Sequence, residues 1–174
     1  MDEIIDVLDE NGNMTNKTIS KDLAHSNGTW HGAIHIVVIS PDKTKILLQY
    51  RCHNKKLYPN TWDIAVGGHI STGEKPIKAA ERELKEELGL NLEDYQINQL
   101  CIVKEMLTNN DIYSNEFVTT YIIYSDIDVN KLVLQEEEVS SVKWFTKQEL
   151  NDLIQQKRVV PHLELFDKLN KILL

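Results

Sequence analysis

Three glutamates, Glu83, Glu86 and Glu87, stand together in the stretch Arg82-Glu83-Leu84-Lys85-Glu86-Glu87-Leu88. On a helix Glu83 and Glu87 would sit one turn apart and, if exposed, repel by about 0.2–0.5 kcal/mol. The plain reading of such a run is a solvated acidic face. The chemical reading is a cation site, because hard cations such as Mg²⁺ take carboxylate oxygens and bind substrate phosphates as well. Arg82 precedes Glu86 by four residues and is spaced to pair with it.

The flanking residues set this stretch on a helix. Ser71, Thr72 and Gly73 form a turn, and Pro76 suits the first helical turn, where its missing N–H is not needed. Gly89 suits the position just past the helix end. A helix from near Pro76 to Leu88 would gather Ile77, Ala80, Leu84 and Leu88 on one side, away from Glu83 and Glu87. Gly67 and Gly68 come just before it, and their lack of Cβ allows close approach of backbone and ligand.

The elements around this centre follow from composition and periodicity. Residues 3–8 read as a short strand with Asn11-Gly12 as a hairpin turn, and residues 19–24 as a helical turn before a break at Ser26-Asn27-Gly28. Residues 33–39 are apolar and β-branched, a buried strand, and residues 45–51 return as its hairpin partner. Residues 54–60 read as a loop, 62–66 as a strand running into Gly67-Gly68, and 97–106 and 116–124 as strands around a loop at Asn109-Asn110-Asp111. A short strand is expected over 142–145 and an amphipathic helix over 147–156, capped by Thr146 with Glu149 closing a capping box. A second amphipathic helix covers 161–174. Strands with helices in the middle and at the end predict an α/β fold, a mixed sheet between helices.

The full spacing is G-x5-E-x7-R-E-L-x-E-E-x-G-L, from Gly68 through Glu74 and Arg82 to Leu90. It matches the Nudix box at every position, and the chain resembles the Nudix hydrolase superfamily. The resemblance implies the family's α/β/α sandwich, in agreement with the element pattern. It also implies hydrolysis of a diphosphate linkage in a nucleoside diphosphate-X or related organic diphosphate, with Mg²⁺ or Mn²⁺ as cofactor. By that resemblance Glu83, Glu86 and Glu87 are the metal ligands, with the Gly68 carbonyl added. Arg82 orients Glu86, Glu74 braces the loop and helix, and Gly89 ends the helix. Glu83 is the first choice of general base, with Glu116 and the run Glu136, Glu137 and Glu138 as alternatives.

The flanks resemble isopentenyl-diphosphate isomerase and its hydrolase relatives: Ala24-His25, Trp30-His31, Leu47-Leu48-Gln49-Tyr50-Arg51, Lys55-Lys56, Tyr58-Pro59-Asn60-Thr61-Trp62 and Gly68-His69. Those isomerases hold a metal with histidines and downstream glutamates, at positions that His25, His31, His69 and Glu116 match. Three departures separate this chain from them. Gly67 stands where they carry a catalytic cysteine, Ser114 stands at a glutamate position, and the box here is complete whereas theirs is degenerate. Protonating an alkene needs a positioned acid, so hydrolysis is the leading reading, isomerisation an alternative, and a non-catalytic Nudix-fold ligand sensor a third. Repelling carboxylates serve no purpose in a sensor.

Several residues have both a bland and a chemical reading. Arg51 and Lys55 are expected to grip the diphosphate, Arg51 through its two-pronged guanidinium, and His31 is a further candidate for substrate contact. His69 adjoins the metal loop and is taken as a possible ligand. His31 and His35 lie on a strand, where a histidine is as readily packing as ligand. His53 and His162 read as surface residues, Lys56 as solvated, and Trp30, Trp62 and Trp144 as packing residues.

The whole chain sets outer bounds. Its 174 residues, 41% hydrophobic and 26% charged, are expected to form a single domain over 1–174. A net charge of −8 argues against nucleic-acid or anionic-membrane partners and for a small-molecule diphosphate whose charge a cation offsets. Cys52 and Cys101 are isolated, and the start Met1-Asp2-Glu3 is acidic, so a cytoplasmic location is expected. The sequence leaves the oligomeric state open, a homodimer included.

Overall fold

The computed structural model describes residues 2–174; Met1, the first residue of the acidic start, lies outside them. In chain order the elements are β1 (Ile4–Leu8), β2 (Met14–Ser20), α1 (Lys21–Asn27), β3 (His31–Ile39), β4 (Lys45–Arg51), β5 (Trp62–Ile64) and β6 (Val66–His69). There follow α2 (Pro76–Leu88), β7 (Ile97–Asn109), β8 (Ile112–Tyr124), β9 (Val139–Thr146), α3 (Lys147–Gln155) and α4 (Leu163–Ile172).

The strands make one mixed sheet, and β3 is its hub. Parallel β8 runs along one edge of β3, with His31 opposite Glu116 and His35 opposite Thr120. The other edge is shared in succession by β1 at His31, β6 from Ala33 to Ile36, and β4 at Val38 and Ile39. Both faces of β3 are covered, which explains its apolar run from Ala33 to Ile39, broken only by His35. Ile34, Ile36 and Val38 meet Ala79, Ala80, Leu84 and Leu88 of α2. Val37 and Ile39 meet Leu150 and Leu153 of α3 and Leu165, Phe166 and Leu169 of α4. The expected sheet between helices is therefore present, with α2 on one side and α3 and α4 on the other.

Local signals placed the helix ends. Pro76 opens α2, and Gly89 closes it with φ 71°, its N–H donating to the Leu84 and Lys85 carbonyls. Thr146 caps α3, and Glu149 completes the capping box. Other boundaries moved. The hairpin turn expected at Asn11-Gly12 leads from β1 into antiparallel β2, whose extent was not expected because its residues Met-Thr-Asn-Lys-Thr-Ile-Ser form a largely exposed edge with no alternation. The first helix starts later, at Lys21, capped by Ser20 and ended by Gly28 in the left-handed region. The strand expected over 62–66 is two strands, β5 paired with β4 and β6 with β3. β7 and β8 extend each other to a hairpin turning at Asn110 and Asp111, both at positive φ. The final helix begins at Leu163, which leaves Pro161 and His162 ahead of it. No helix among the described residues is long and apolar enough to cross a membrane.

Trp62 packs on the α3–α4 side against Phe145 and Tyr50, and Trp144 packs on the α2 side with its indole N–H bonded to the Ile127 carbonyl. Trp30 packs against Phe117 with the Lys104 ammonium over its ring.

A Cβ on Gly89 would lie 2.8 Å from the Val133 Cβ and 3.1 Å from its carbonyl oxygen, in a backbone conformation unfavourable for any L side chain. Gly89→Ala is therefore expected to cost at least about 1–2 kcal/mol, read as a lower midpoint in chemical denaturation with an unchanged slope.

Candidate active site

One cleft of about 600 Å³ receives residues from the segment before β1, from α1, β3, the end of β4 and the β4–β5 connection, from β5, β6, α2, β7 and β8, and from the segments before β9 and α4. That size is ordinary for a small-molecule site. On one wall the α2 carboxylates face β6. Glu83 lies so close to Gly68 that a Cβ there would be 2.2 Å from its Cδ and Oε1. Only glycine fits while Glu83 keeps this place. Arg82 Nη1 donates to Glu83 Oε1 at 2.6 Å, while Arg82 Nε and Nη2 donate to the two Glu74 oxygens at 3.1 and 2.9 Å. Nη2 also donates to the His69 carbonyl at 3.0 Å, and Glu74 accepts from the Ser71 N–H at 3.1 Å. Arg82 thus ties the helix to the turn before it. Its distance to Glu86 is 3.5 Å, and the Glu86 side chain is 48% exposed, so its tightest partners are Glu74 and Glu83.

Glu87 is buried, and its Oε2 accepts a hydrogen bond from Gln49 Nε2 at 2.8 Å; the same nitrogen donates to the Ala65 carbonyl at 3.2 Å. Burial pushes the Glu83 carboxyl up to about 7, against the opposing pull of Arg82. Burial and the neighbouring Glu83 raise Glu87 well above the usual carboxylate range. A pair of carboxylates in this setting welcomes either protons or a cation.

Beside them is a second donor group, His25, His31, His69 and Glu116, whose ligand atoms lie within 4.8 Å of one another. Glu116 Oε1 is 3.3 Å from both His31 Nε2 and His69 Nε2, and His25 Nε2 is 3.1 Å from His69 Nε2. Ser114 donates its hydroxyl to Glu116 Oε1. His31 Nδ1 is held by the Thr29 carbonyl at 2.8 Å, so it carries a proton, and in the neutral ring Nε2 carries the lone pair. That Nε2 is buried without a hydrogen-bond partner. Burial alone would raise Glu116, but the His31 and His69 rings outweigh it and hold the carboxyl well below its usual range. Burial, then His69, depress His25 to about 4. Burial lowers His69 as well, whereas Glu116 raises His31 against its burial. Three imidazoles converging on one buried carboxylate form a donor set that fits a divalent cation, which would take the place of the proton on His31.

The basic residues expected to grip phosphate are both engaged inside the protein. Arg51 donates Nη1 to Asp63 at 2.9 Å, Nη2 to the Leu57 carbonyl at 2.8 Å and Nε to the Tyr58 carbonyl at 3.1 Å. It shapes the 54–60 loop in this state. Lys55 pairs with Glu138, and both line the cleft. Lys21, not singled out from sequence, also lines it and pairs with Glu3. Lys56 is exposed and meets Asp22, as a solvated residue would.

The largest correction concerns His162. It is buried, not on the surface, because Nε2 donates to Asp63 Oδ1 at 2.8 Å and Nδ1 to Glu105 at 2.9 Å. His53 is exposed as expected. Glu105 interrupts the inward-facing apolar positions Val103 and Leu107 on β7, and that interruption was the available signal.

His162 is pushed up to about 10, where the two carboxylates overcome burial, against an ordinary value of 6.5. Its contribution to stability is complete below pH 6.5 and disappears progressively as pH rises toward 10. Asp63, held below its ordinary 3.8, contributes above that pH and loses its contribution in acid. His162→Phe leaves the buried Glu105 carboxylate without its partner and Asp63 with Arg51 as its one remaining cation, and is expected to cost about 3–5 kcal/mol near neutrality. Denaturant midpoints from pH 6 to 10 are expected to fall in the wild type and to flatten in the variant.

Comparison with known proteins matches residues 29–166 to the family model described as the NUDIX domain. His25 and Lys21 lie ahead of that segment. The chain is 32% identical over 160 residues to Nudix hydrolase 3 of Arabidopsis thaliana, covering 90% of this chain but 21% of that much longer protein. It is 31% identical to an uncharacterized Nudix hydrolase of Listeria innocua, covering 90% of this chain and 88% of the relative. An isopentenyl-diphosphate Delta-isomerase of Serratia proteamaculans is 29% identical, with 87% and 81% covered. In fold the chain is similar to DR0079 from Deinococcus radiodurans, with a TM-score of 0.74, 18% identity and 98% and 99% of the two chains covered. A motif unbroken from Gly68 to Leu90, set in this sheet and matched across most of the chain, means that the protein belongs to the Nudix hydrolase family.

Proposed function

We propose that this protein hydrolyses the diphosphate linkage of a small organic diphosphate with Mg²⁺ or Mn²⁺ held by Glu83, Glu86 and Glu87, the Gly68 carbonyl completing the set. The observation that carries this reading is the pair Glu83 and Glu87, raised by burial in one cleft yet fixed there by Arg82 and Gln49. A bound divalent cation would neutralise the phosphate oxygens and acidify water there.

The chain's own residues supply the rest. Glu83 is positioned to accept the proton of the attacking water, with Arg82 fixing its carboxyl and Glu74 fixing Arg82. Gln49 sets the orientation of Glu87. Lys55 is one partner away from a phosphate: exchange of Glu138 for substrate would free its ammonium for the diphosphate and Glu138 for water. The group His25, His31, His69 and Glu116 fits a second cation, with Glu116 as its carboxylate ligand. Isomerisation is disfavoured because Gly67 offers no proton donor, although an isomerase is among the relatives.

The test is release of phosphate or nucleotide from a panel of diphosphates in Mg²⁺ and in EDTA, with isopentenyl diphosphate assayed for hydrolysis and isomerisation. Cleavage lost in EDTA and reduced at least about a hundredfold in Glu87→Gln is expected. Undiminished turnover in either case, or interconversion of isopentenyl and dimethylallyl diphosphate, would overturn the reading.

A further inference from the structure

Residues 54–58 form one wall of the cleft, and the loop that carries them is held in a strained shape. Tyr58 has φ 48° and Asn60 φ 55°. Asparagine tolerates that left-handed region. A bulky aromatic residue rarely adopts it, least of all ahead of a proline, here Pro59. Backbone strain of this kind persists only where the surrounding structure enforces it, and it gathers at sites that position a ligand.

Arg51 enforces the strained turn. Each of its guanidinium nitrogens donates: Nη2 to the Leu57 carbonyl at 2.8 Å, Nε to the Tyr58 carbonyl at 3.1 Å and Nη1 to Asp63 at 2.9 Å. Asp63 is fixed in turn by His162 Nε2 and by the Ile64 N–H, both at 2.8 Å, and His162 is held by Glu105. The far end of the loop therefore hangs on a buried chain of ion pairs rooted in β5 and β7. Its near end is tied by the Lys55 N–H to the Cys52 carbonyl at 3.2 Å, and the Cys52 N–H reaches the Glu138 carbonyl at 3.0 Å. Lys55 is thus held from both sides, lines the cleft and pairs with the Glu138 carboxylate.

We propose that Arg51 is a positioning residue: it acts through the 54–58 loop to place the Lys55 ammonium for the diphosphate and does not itself bind phosphate. Gripping a phosphate takes the two-pronged edge of the guanidinium. Here both Nη nitrogens on that edge already face the protein, one of them on a buried carboxylate. Turning the edge toward a phosphate would release the strained turn and leave Asp63 with His162 as its one cation. Lys55 carries no such burden, because its partner Glu138 is a partly exposed side chain at the cleft and its exchange for phosphate breaks no backbone bond. This inference deepens the hydrolase reading and rests on it for the place of the diphosphate.

Calorimetric binding of inorganic diphosphate, with Ca²⁺ replacing Mg²⁺, and limited trypsin cleavage of the ligand-free protein test it apart from turnover. Arg51→Lys keeps a cation beside Asp63 but cannot span both loop carbonyls. It is expected to speed cleavage after Lys55 and Lys56, and nowhere outside 51–60, and to weaken diphosphate binding at least about fivefold. Lys55→Met is expected to weaken binding at least about tenfold. Adding Arg51→Lys to Lys55→Met is expected to change affinity by less than about twofold, because the loop then has no ammonium to place. Arg51→Gln is the second variant, with the same pattern expected. Losses that add in the double variant, weaker binding with loop cleavage unchanged, a looser loop with affinity unchanged, or no binding of diphosphate by the wild type would each overturn the proposal. If the losses fail to add but no metal-dependent hydrolysis is found, positioning by Arg51 stands and the hydrolase reading falls.

Discussion

Two carboxylates held one helical turn apart in a cleft are unfavourable neighbours, and the structure is arranged to keep them there. Glu83 has no room to turn away because its carboxyl fills the space that any side chain at position 68 would need. Arg82 pins it from one side and is itself clamped by Glu74. Glu87 is buried against Gln49, whose strand is anchored in the sheet by β5 and β9. The opposite face of α2 packs through Ala79, Ala80, Leu84 and Leu88, so the helix cannot roll to relieve the repulsion without losing its core contacts.

Strand β3 connects this chemistry to the rest of the molecule. Alternate residues on one face carry His31 into the histidine group, Ala33 and His35 along the cleft, and Val37 and Ile39 into the core under α3 and α4. β8 adds Glu116 beside His31, and β7 brings Glu105 opposite Glu116. Like charges facing each other across a strand pair are unfavourable. Here each has its own partner, Glu116 the histidine group and Glu105 the His162 ring. The two polar clusters of the cleft are thus neighbours in the sheet but separate in their bonding.

What the sequence revealed was the part whose causes are local. Pro76, Gly89 and the Thr146–Glu149 box act within a turn of helix, and each acts as its type and spacing predicted. The box motif was legible for the same reason, since its residues span one turn and one helix. The turn into β2 was legible at Asn11-Gly12, but the span of β2 was not, because an exposed edge strand needs no hydrophobic alternation. His162 was misread because its partners lie 57 and 99 residues away, and nothing near it in the chain marks it as buried. Arg51 was legible as a cleft residue but not as one already bound to Asp63 and two loop carbonyls. Its guanidinium reads equally well as phosphate grip or loop brace until the fold is known.

The most direct measurement is anomalous diffraction from crystals equilibrated with Mn²⁺. A peak is expected among Glu83, Glu86 and Glu87 beside the Gly68 carbonyl, whether or not a second peak lies among His25, His31, His69 and Glu116. Manganese confined to the histidine group, with the α2 carboxylates left without it, would contradict the central claim that those carboxylates are held together to bind the catalytic cation.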